Sequence, residues 1–251
     1  MINKSLLKHI RSLELKKNRE KENAFVAEGP KVVGDIMDVV RPDILIATEE
    51  WYKANNVSPN DKYHIVSEDD LRKASFLQHP QQVIGIFPLL KHKIDRNIPA
   101  KELCLALDKI QDPGNLGTII RIADWFGITN IFCGTGTADT FNPKVVQATM
   151  GSIARVNIEY ADICELLDSL PADIPVYGTS LDGKNIYEQQ LSPTGIIIMG
   201  NEGNGISPEV MSRVNKTIFI PCYQKERAVD SLNVAIATAV TCAEFKRKFG
   251  H

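Results

Sequence analysis

Between Glu102 and Pro221 the chain carries a succession of short apolar runs, ELCLAL, NIFCG, ARVNIEY, IPVYGTS, GIIIM and TIFIP, interleaved with helical stretches. A strand with one wet face alternates apolar and polar residues, whereas near-continuous apolarity requires cover on both faces. Helices between the strands supply those covers, so the pattern predicts an α/β fold with a mostly parallel sheet. The helices are expected at Leu116 to Phe126, Pro143 to Met150, Asp162 to Leu170, Pro208 to Val214 and Ser231 to Lys248. Such sheets bind ligands beyond the carboxyl ends of their strands, which directs attention to the loops there.

The first third reads as a separate α/β unit. A helix near Ser5 to Lys16 precedes strand FVAE (Phe25 to Glu28), a helix near Lys31 to Val40 and strand DILIA (Asp43 to Ala47). A helix near Glu49 to Ala54, strand YHIV (Tyr63 to Val66), a short helix opened by Ser67 and strand VIGIF (Val83 to Phe87) follow. PLLKHKIDRNIPAKE, Pro88 to Glu102, is charged, holds two prolines and lacks periodicity, as a linker does. The expected domains are residues 1–93 and 94–251, within the 251-residue chain.

Charge is uninformative globally and informative locally. The formal net charge is −2, without the basic excess that marks many nucleic-acid-binding proteins. Yet from Met1 to Lys31 eight lysines and arginines face four glutamates, a local +4 able to meet phosphate or simply to solvate one helix face. The five cysteines show no CxxC spacing, and those in apolar company read as small core residues of a protein kept in a reducing cytoplasm. Five scattered histidines show no metal-ligand spacing, so no metal is expected. No apolar run reaches the roughly 18 residues of a membrane span, and MINKSLLKHIRSLELKK lacks a signal-peptide pattern, so no membrane partner is expected.

Three loops carry chemistry. In LALDKIQDPGNLGTIIRIADWFG, from Leu105, a helix read at about 100° per residue puts Leu116, Ile119, Ile120, Ile122, Ala123 and Phe126 on one arc. Gly117 and Arg121 share the other face, with Asn115 near the N-cap; the bland alternative is an Arg121–Asp124 surface pair. In GIIIMGNEGNGISPE, from Gly195, three glycines in six residues permit close backbone approach to a ligand, and Ser207 and Pro208 open a helix. No Gly-Lys-Ser/Thr follows, and Glu202 would repel a phosphate held there. Gly134-x-Gly136 in CGTGTADTFNP lacks a dinucleotide fingerprint's third glycine, which weakens a dehydrogenase reading. In FIPCYQKERAVDSLNVAIATAV, from Phe219, Asp230 or Ser231 is the expected cap of a final helix apolar nearly all round, with Asn233 in its first turn.

Taken in order, Asn115-x-Gly117-x-x-x-Arg121, Gly200-Asn201-Glu202-Gly203 with Gly205, and Ile220-Pro221 followed by Ser231-Leu232-Asn233 resemble the three motifs of the SpoU/TrmH family of RNA ribose 2′-O-methyltransferases, in the SPOUT superfamily. The likeness spans Glu102 to Lys248, and the segment around FVAEGPKVVGDIM is similar to the ribosomal-protein-like RNA-binding domain that precedes many members. It implies a deep trefoil knot in the sheet, a homodimer with the site at the subunit interface, and S-adenosylmethionine as cofactor. It implies cofactor contacts at Thr179, Gly200, Ile220 and Leu232, and a reacting centre of Asn115, Arg121, Glu202, Ser231 and Asn233. The loop CYQKERAV before Asp230 departs from the shorter, glycine-containing family pattern, and Lys225-Glu226-Arg227 is a possible substrate contact.

The implied reaction methylates a ribose 2′-hydroxyl in structured RNA, ribosomal RNA by family analogy. Transfer RNA is the alternative substrate, and a non-catalytic RNA-binding module on the same fold is the alternative class. A guanidinium holds its proton across the accessible pH range, so Arg121 is read as a clamp on the adjacent phosphate that polarises the hydroxyl, rather than as a base. RNA docking is expected through the basic early segment, with the target ribose in an unstacked loop or bulge.

Overall fold

A computed structural model describes residues 2–224 and 231–249. They divide into two compact units, one of residues up to Leu90 together with Asp139–Ala154, the other of Lys91–Ala138 together with the residues from Arg155 onward. The first division between the units falls between Leu90 and Lys91. The return of residues 139–154 to the first unit has no counterpart in the sequence pattern.

The first unit is built on a four-stranded sheet of β1 (Ala24–Glu28), β2 (Ile44–Ala47), β3 (Tyr63–Ile65) and β4 (Val83–Pro88), ordered β1-β4-β2-β3. Helices α1 (Lys4–Ser12), α2 (Lys16–Glu22), α3 (Pro30–Met37), α4 (Glu49–Asn55) and α5 (Glu68–Ala74) accompany it. Asn3, Thr48 and Ser67 cap α1, α4 and α5 by accepting from backbone N–H groups in the first turn. The single expected helix from Ser5 to Lys16 is broken after Ser12. The cause lies downstream: Asn18 donates to the carbonyl of Ser12, and Arg19 donates to those of Leu13 and Glu14, satisfying groups that would otherwise favour continuation.

The second unit carries β5 (Leu103–Leu107), α6 (Pro113–Trp125) and β6 (Asn130–Cys133). After α7 (Pro143–Thr149), which belongs to the first unit, come β7 (Asn157–Tyr160), α8 (Ile163–Asp168), β8 (Val176–Asn185), β9 (Gly195–Met199), α9 (Pro208–Met211), β10 (Lys216–Phe219) and α10 (Val234–Phe249). The sheet has six strands in the order β10-β8-β9-β5-β6-β7, with parallel pairing throughout, as the apolar runs require. One face packs Cys104, Ala106, Phe132, Ile196 and Ile198 over Leu166 and Val210. On the other, the Tyr177 ring meets Phe245 of α10 edge-on at 4.9 Å. Burial pushes the thiols of Cys104, Cys133 and Cys242 up to about 12, leaving them inert core residues.

In the first unit, Val146 and Ile153 of the returning segment enter the same core as Phe25, Val33, Ile36 and Phe87. Arg19, only 2% exposed, completes the attachment by an ion pair with Asp139. A buried guanidinium is tolerated only when paired and hydrogen-bonded, and here two carbonyls and a carboxylate share it.

Strand β8 is interrupted in a way that shapes the second unit. Its register against β10 runs Lys216 to Tyr177 and Thr217 to Gly178, then jumps to Ile218 with Lys184 and Phe219 with Asn185. Residues 179–183 therefore bow out of the ladder, and the bow leaves Thr179 to Asp182 free to line a cleft. Gly183 is where the bow closes over the Ile218 backbone: a Cβ there would lie 2.6 Å from its carbonyl carbon and 2.9 Å from its nitrogen. Among the described residues no helix is long and apolar enough to cross a membrane.

A Gly183→Ala substitution should therefore lower stability by about 1–3 kcal/mol, the usual cost of overpacking against atoms that cannot yield. Urea unfolding measures it, with Gly203→Ala, whose Cβ would meet only a side-chain oxygen at 3.6 Å, as the near-neutral control.

Candidate functional site

β5 and β9 are adjacent strands whose onward connections diverge, the kind of switch point beside which open α/β sheets hold ligands. The β5 exit turns through Lys109, at φ +60°, toward α6. Helix α6 begins at Pro113, three residues before the expected Leu116, and its cap is Asp112, which accepts from the Asn115 backbone N–H at 2.8 Å. Asn115 thus sits in the first turn near the cap, with its side-chain amide available for other partners.

The β9 exit is a closed loop. Asn201 and Gly205 exchange two backbone hydrogen bonds of 2.9 Å, and Gly205 takes φ +68°. Asn201 Oδ1 accepts from the N–H groups of Gly203 and Asn204, while its Nδ2 donates to the Lys109 carbonyl at 2.8 Å. At Gly200 a Cβ would lie 2.2 Å from the Ile206 nitrogen, so only glycine fits. The buried Asp108 carboxylate accepts from Ser207 N–H at 2.7 Å, fastening the far end of the loop to the end of β5. Asp108 and Asn201 were not among the expected site residues. Their sequence signal is slight: a carboxylate ending an apolar run, and an asparagine among glycines.

The third component is the start of α10. Of the two expected caps, Asp230 lies outside the described residues, and Ser231 stands three positions before the first helical residue, Val234. Asn233 is the cap, its Oδ1 accepting from Ala235 N–H at 2.9 Å and Ile236 N–H at 3.3 Å. With its oxygen so occupied, its Nδ2 donates to Asn115 Oδ1 at 3.0 Å. Asn115 Nδ2 in turn donates to Glu202 Oε1 at 3.0 Å. The polarity of this relay is determined at both ends, by backbone donors at Asn233 and by an acceptor-only carboxylate at Glu202. Residues 87 and 118 positions apart in sequence are thereby joined by hydrogen bonds.

Beside the relay opens a cleft of about 520 Å³ between the 200–206 loop, the bowed 179–182 segment and the first turns of α10. Thr179, Gly200, Glu202, Ile220, Ser231 and Leu232 all line it. Thr179 Oγ1 donates to the Ile198 carbonyl at 3.0 Å, tying the bow to β9. Ile186, Ile206 and Ile218 contribute apolar wall, and Asp182 and Glu202 contribute carboxylates. Among the described residues no lysine or arginine lines the cleft, a composition suited to an apolar ligand carrying positive charge and unsuited to a phosphate. Lys225, Glu226 and Arg227 lie outside the described residues.

Arg121 is exposed on α6 and does not belong to the cleft wall. The surface pairing with Asp124 is not formed: Asp124 is held by Arg155, whose Nη2 approaches its Oδ2 at 2.8 Å. Among the described residues the Arg121 side chain makes neither an ion pair nor a hydrogen bond, although it lies less than two turns along the helix from Asn115. No group of three or more metal-binding side chains occurs among the described residues.

Comparison with known proteins places this geometry in context. Residues 102–243 match the SpoU rRNA Methylase family, and residues 4–85 match the MRM3-like substrate binding domain. The chain is 30% identical over 239 residues to the 23S rRNA (guanosine(2553)-2′-O)-methyltransferase RlmP of Bacillus subtilis, covering 93% of each protein. A Porphyromonas gingivalis structure described as an RNA methyltransferase of the TrmH family aligns with a TM-score of 0.86 at 39% identity, over 99% of both chains. The AdoMet-bound rRNA methyltransferase of Sinorhizobium meliloti aligns with a TM-score of 0.84 at 32% identity, over 100% of this chain and 97% of the other. With three motif loops joined at one cleft and a family match across more than half its length, this chain belongs to the SpoU rRNA methylase family.

Proposed function

We propose that this protein methylates the 2′-hydroxyl of a guanosine ribose in ribosomal RNA, with S-adenosylmethionine as methyl donor. The observation that carries the reading is the relay from Asn233 through Asn115 to Glu202 at the rim of a cleft bearing carboxylates. The guanosine and the ribosomal substrate come from the B. subtilis relative and from RlmB of Acinetobacter baylyi, a 23S rRNA (guanosine-2′-O-)-methyltransferase 30% identical over 193 residues. A nicotinamide-dependent reading has no comparable support.

The cleft fits the donor on three counts. Its volume lies in the range of small-molecule sites, its walls hold branched aliphatic side chains, and its charged side chains among the described residues are anionic. Thr179, Gly200, Ile220 and Leu232 would hold the adenosyl portion, largely through backbone groups at the two loops. When bound, S-adenosylmethionine supplies a methyl group activated by a positively charged sulfur.

The chain's own contribution is alignment. Holding two reactants at about 3–3.5 Å in the right orientation supplies several kcal/mol toward the barrier. Glu202, fixed by Asn115, retains acceptor sites for the ribose hydroxyl, and Ser231 and Asn233 flank the same rim. Arg121, free of internal partners among the described residues, clamps the phosphate beside the target ribose and polarises its hydroxyl.

The same reading gives the second unit a deep trefoil knot and the protein a homodimeric state. Support for the knot is the 179–183 bow, with the Ile218 backbone running against Gly183 beneath it. Support for the dimer comes from exposed apolar side chains on α6 and α10, Trp125 at 83% and Ile236 at 53%. The five unpaired cysteines suit a reducing cytoplasm.

RNA docking is assigned to the first unit, consistent with its match to a substrate binding domain. Its basic excess is smaller than the sequence count, since Arg19 pairs with Asp139 and Lys31 with Asp35. Lys4, Lys8, Lys17 and Lys21 remain exposed for phosphate.

Arg121→Ala should abolish transfer of labelled methyl to ribosomal RNA while calorimetry finds cofactor affinity within about twofold of wild type. Comparable loss of both would make Arg121 structural. Reversing Lys4, Lys8, Lys17 and Lys21 to glutamate should weaken RNA binding and flatten its salt dependence, leaving cofactor affinity intact. Unchanged RNA affinity across a salt series would remove the first unit from recognition.

A further inference from the structure

Among the described residues, Thr241 is the one in the cleft wall with a buried side-chain polar atom that lacks a hydrogen-bond partner. It is 0% exposed, and its Oγ1 is buried with no hydrogen-bond partner. Threonines inside helices normally turn the hydroxyl back to the carbonyl one turn earlier. Thr238, on the same helix and also 0% exposed, does so, donating to the Val234 carbonyl at 2.7 Å. Thr241 does not. A buried hydroxyl left unpaired costs about 1–3 kcal/mol, so one retained in a binding cleft points to a ligand that completes it.

Its place along α10 says which part of a ligand that is. Val234, Ala237 and Thr241 line the cleft at the spacing of one helix face, running inward from the relay at Asn233. At the rise of an α-helix, Thr241 lies about 12 Å beyond Asn233 along the axis, at the end of the cleft away from the reacting rim. A donor with its sulfur near Glu202 directs its purine inward, toward apolar wall that includes Ile186 and Ile218.

We infer that the Thr241 hydroxyl is a recognition point for the purine edge of the adenosyl group. The inference rests on S-adenosylmethionine being the ligand of this cleft. The hydroxyl both donates and accepts, so it can meet either a ring nitrogen or the exocyclic amino group. The apolar slot supplies affinity for any flat ring, and Thr241 selects among purines.

The test is calorimetric binding of S-adenosylmethionine and S-adenosylhomocysteine to full-length wild type, Thr241→Val and Thr241→Ser, with thermal unfolding of each ligand-free protein. Valine keeps the shape and removes the hydroxyl; serine keeps the hydroxyl. Valine should weaken both ligands by about 5-fold or more, with a ligand-free Tm equal to or above wild type, and serine should bind within about twofold. Unchanged affinity in the valine variant, or a lowered ligand-free Tm with equal loss in both variants, would overturn the assignment. Failure of wild type to bind either ligand would instead refute the methyltransferase reading itself.

Discussion

The site depends on the two-sided use of one asparagine. Asn233 spends its side-chain oxygen on the first N–H groups of α10 and thereby has only its NH₂ to offer Asn115. One asparagine serves both cap and relay, so the entry of the last helix is coupled to the orientation of the cleft rim. Asn115 is free to receive it because Asp112 does the capping of α6. Each neighbour thus forecloses the alternative orientation of the next amide, and the terminal carboxylate can only accept.

The rim is also held from below. Asp108 and Lys109 at the end of β5 fasten both ends of the 200–207 loop, one through Ser207 N–H and one through the Asn201 amide. The closed loop has no slack at Gly200, where the chain backs directly onto Ile206. Glu202 is therefore an exposed side chain on a rigid support, the arrangement that precise alignment of two reactants demands. Arg121 is the contrast, a charged side chain kept free because Arg155 has already engaged the nearby Asp124.

Much of this was legible in the sequence because it follows from periodicity and turn chemistry. All six strands of the second unit were marked by their apolar runs, and the glycines of GNEGNG announced a close backbone approach. What was not legible depends on long-range partners. The break in the first helix arises from Arg19 and Asn18 reaching back to its carbonyls, which no local propensity encodes. The membership of residues 139–154 in the first unit depends on Val146 and Ile153 finding a core built before residue 90. Removing residues 1–93 would strip that core, which is why charge reversal probes the first unit more cleanly than deletion. The extension of β8 to Asn185 was hidden by the polar bow, whose register jump is set by β10. Asn233 was expected as a site residue but not as the cap, because Asp230, Ser231 and Asn233 are equally good capping residues and no local feature ranks them.

The central claim is that three loops distant in sequence converge on a single methyl-transfer site beside the cleft. A crystal structure with S-adenosylhomocysteine bound measures this most directly. The account predicts the ligand between the 200–206 loop and the start of α10, with its sulfur facing Glu202 and Asn115. A ligand held elsewhere, or one in this cleft with its sulfur turned away from those side chains, would contradict it.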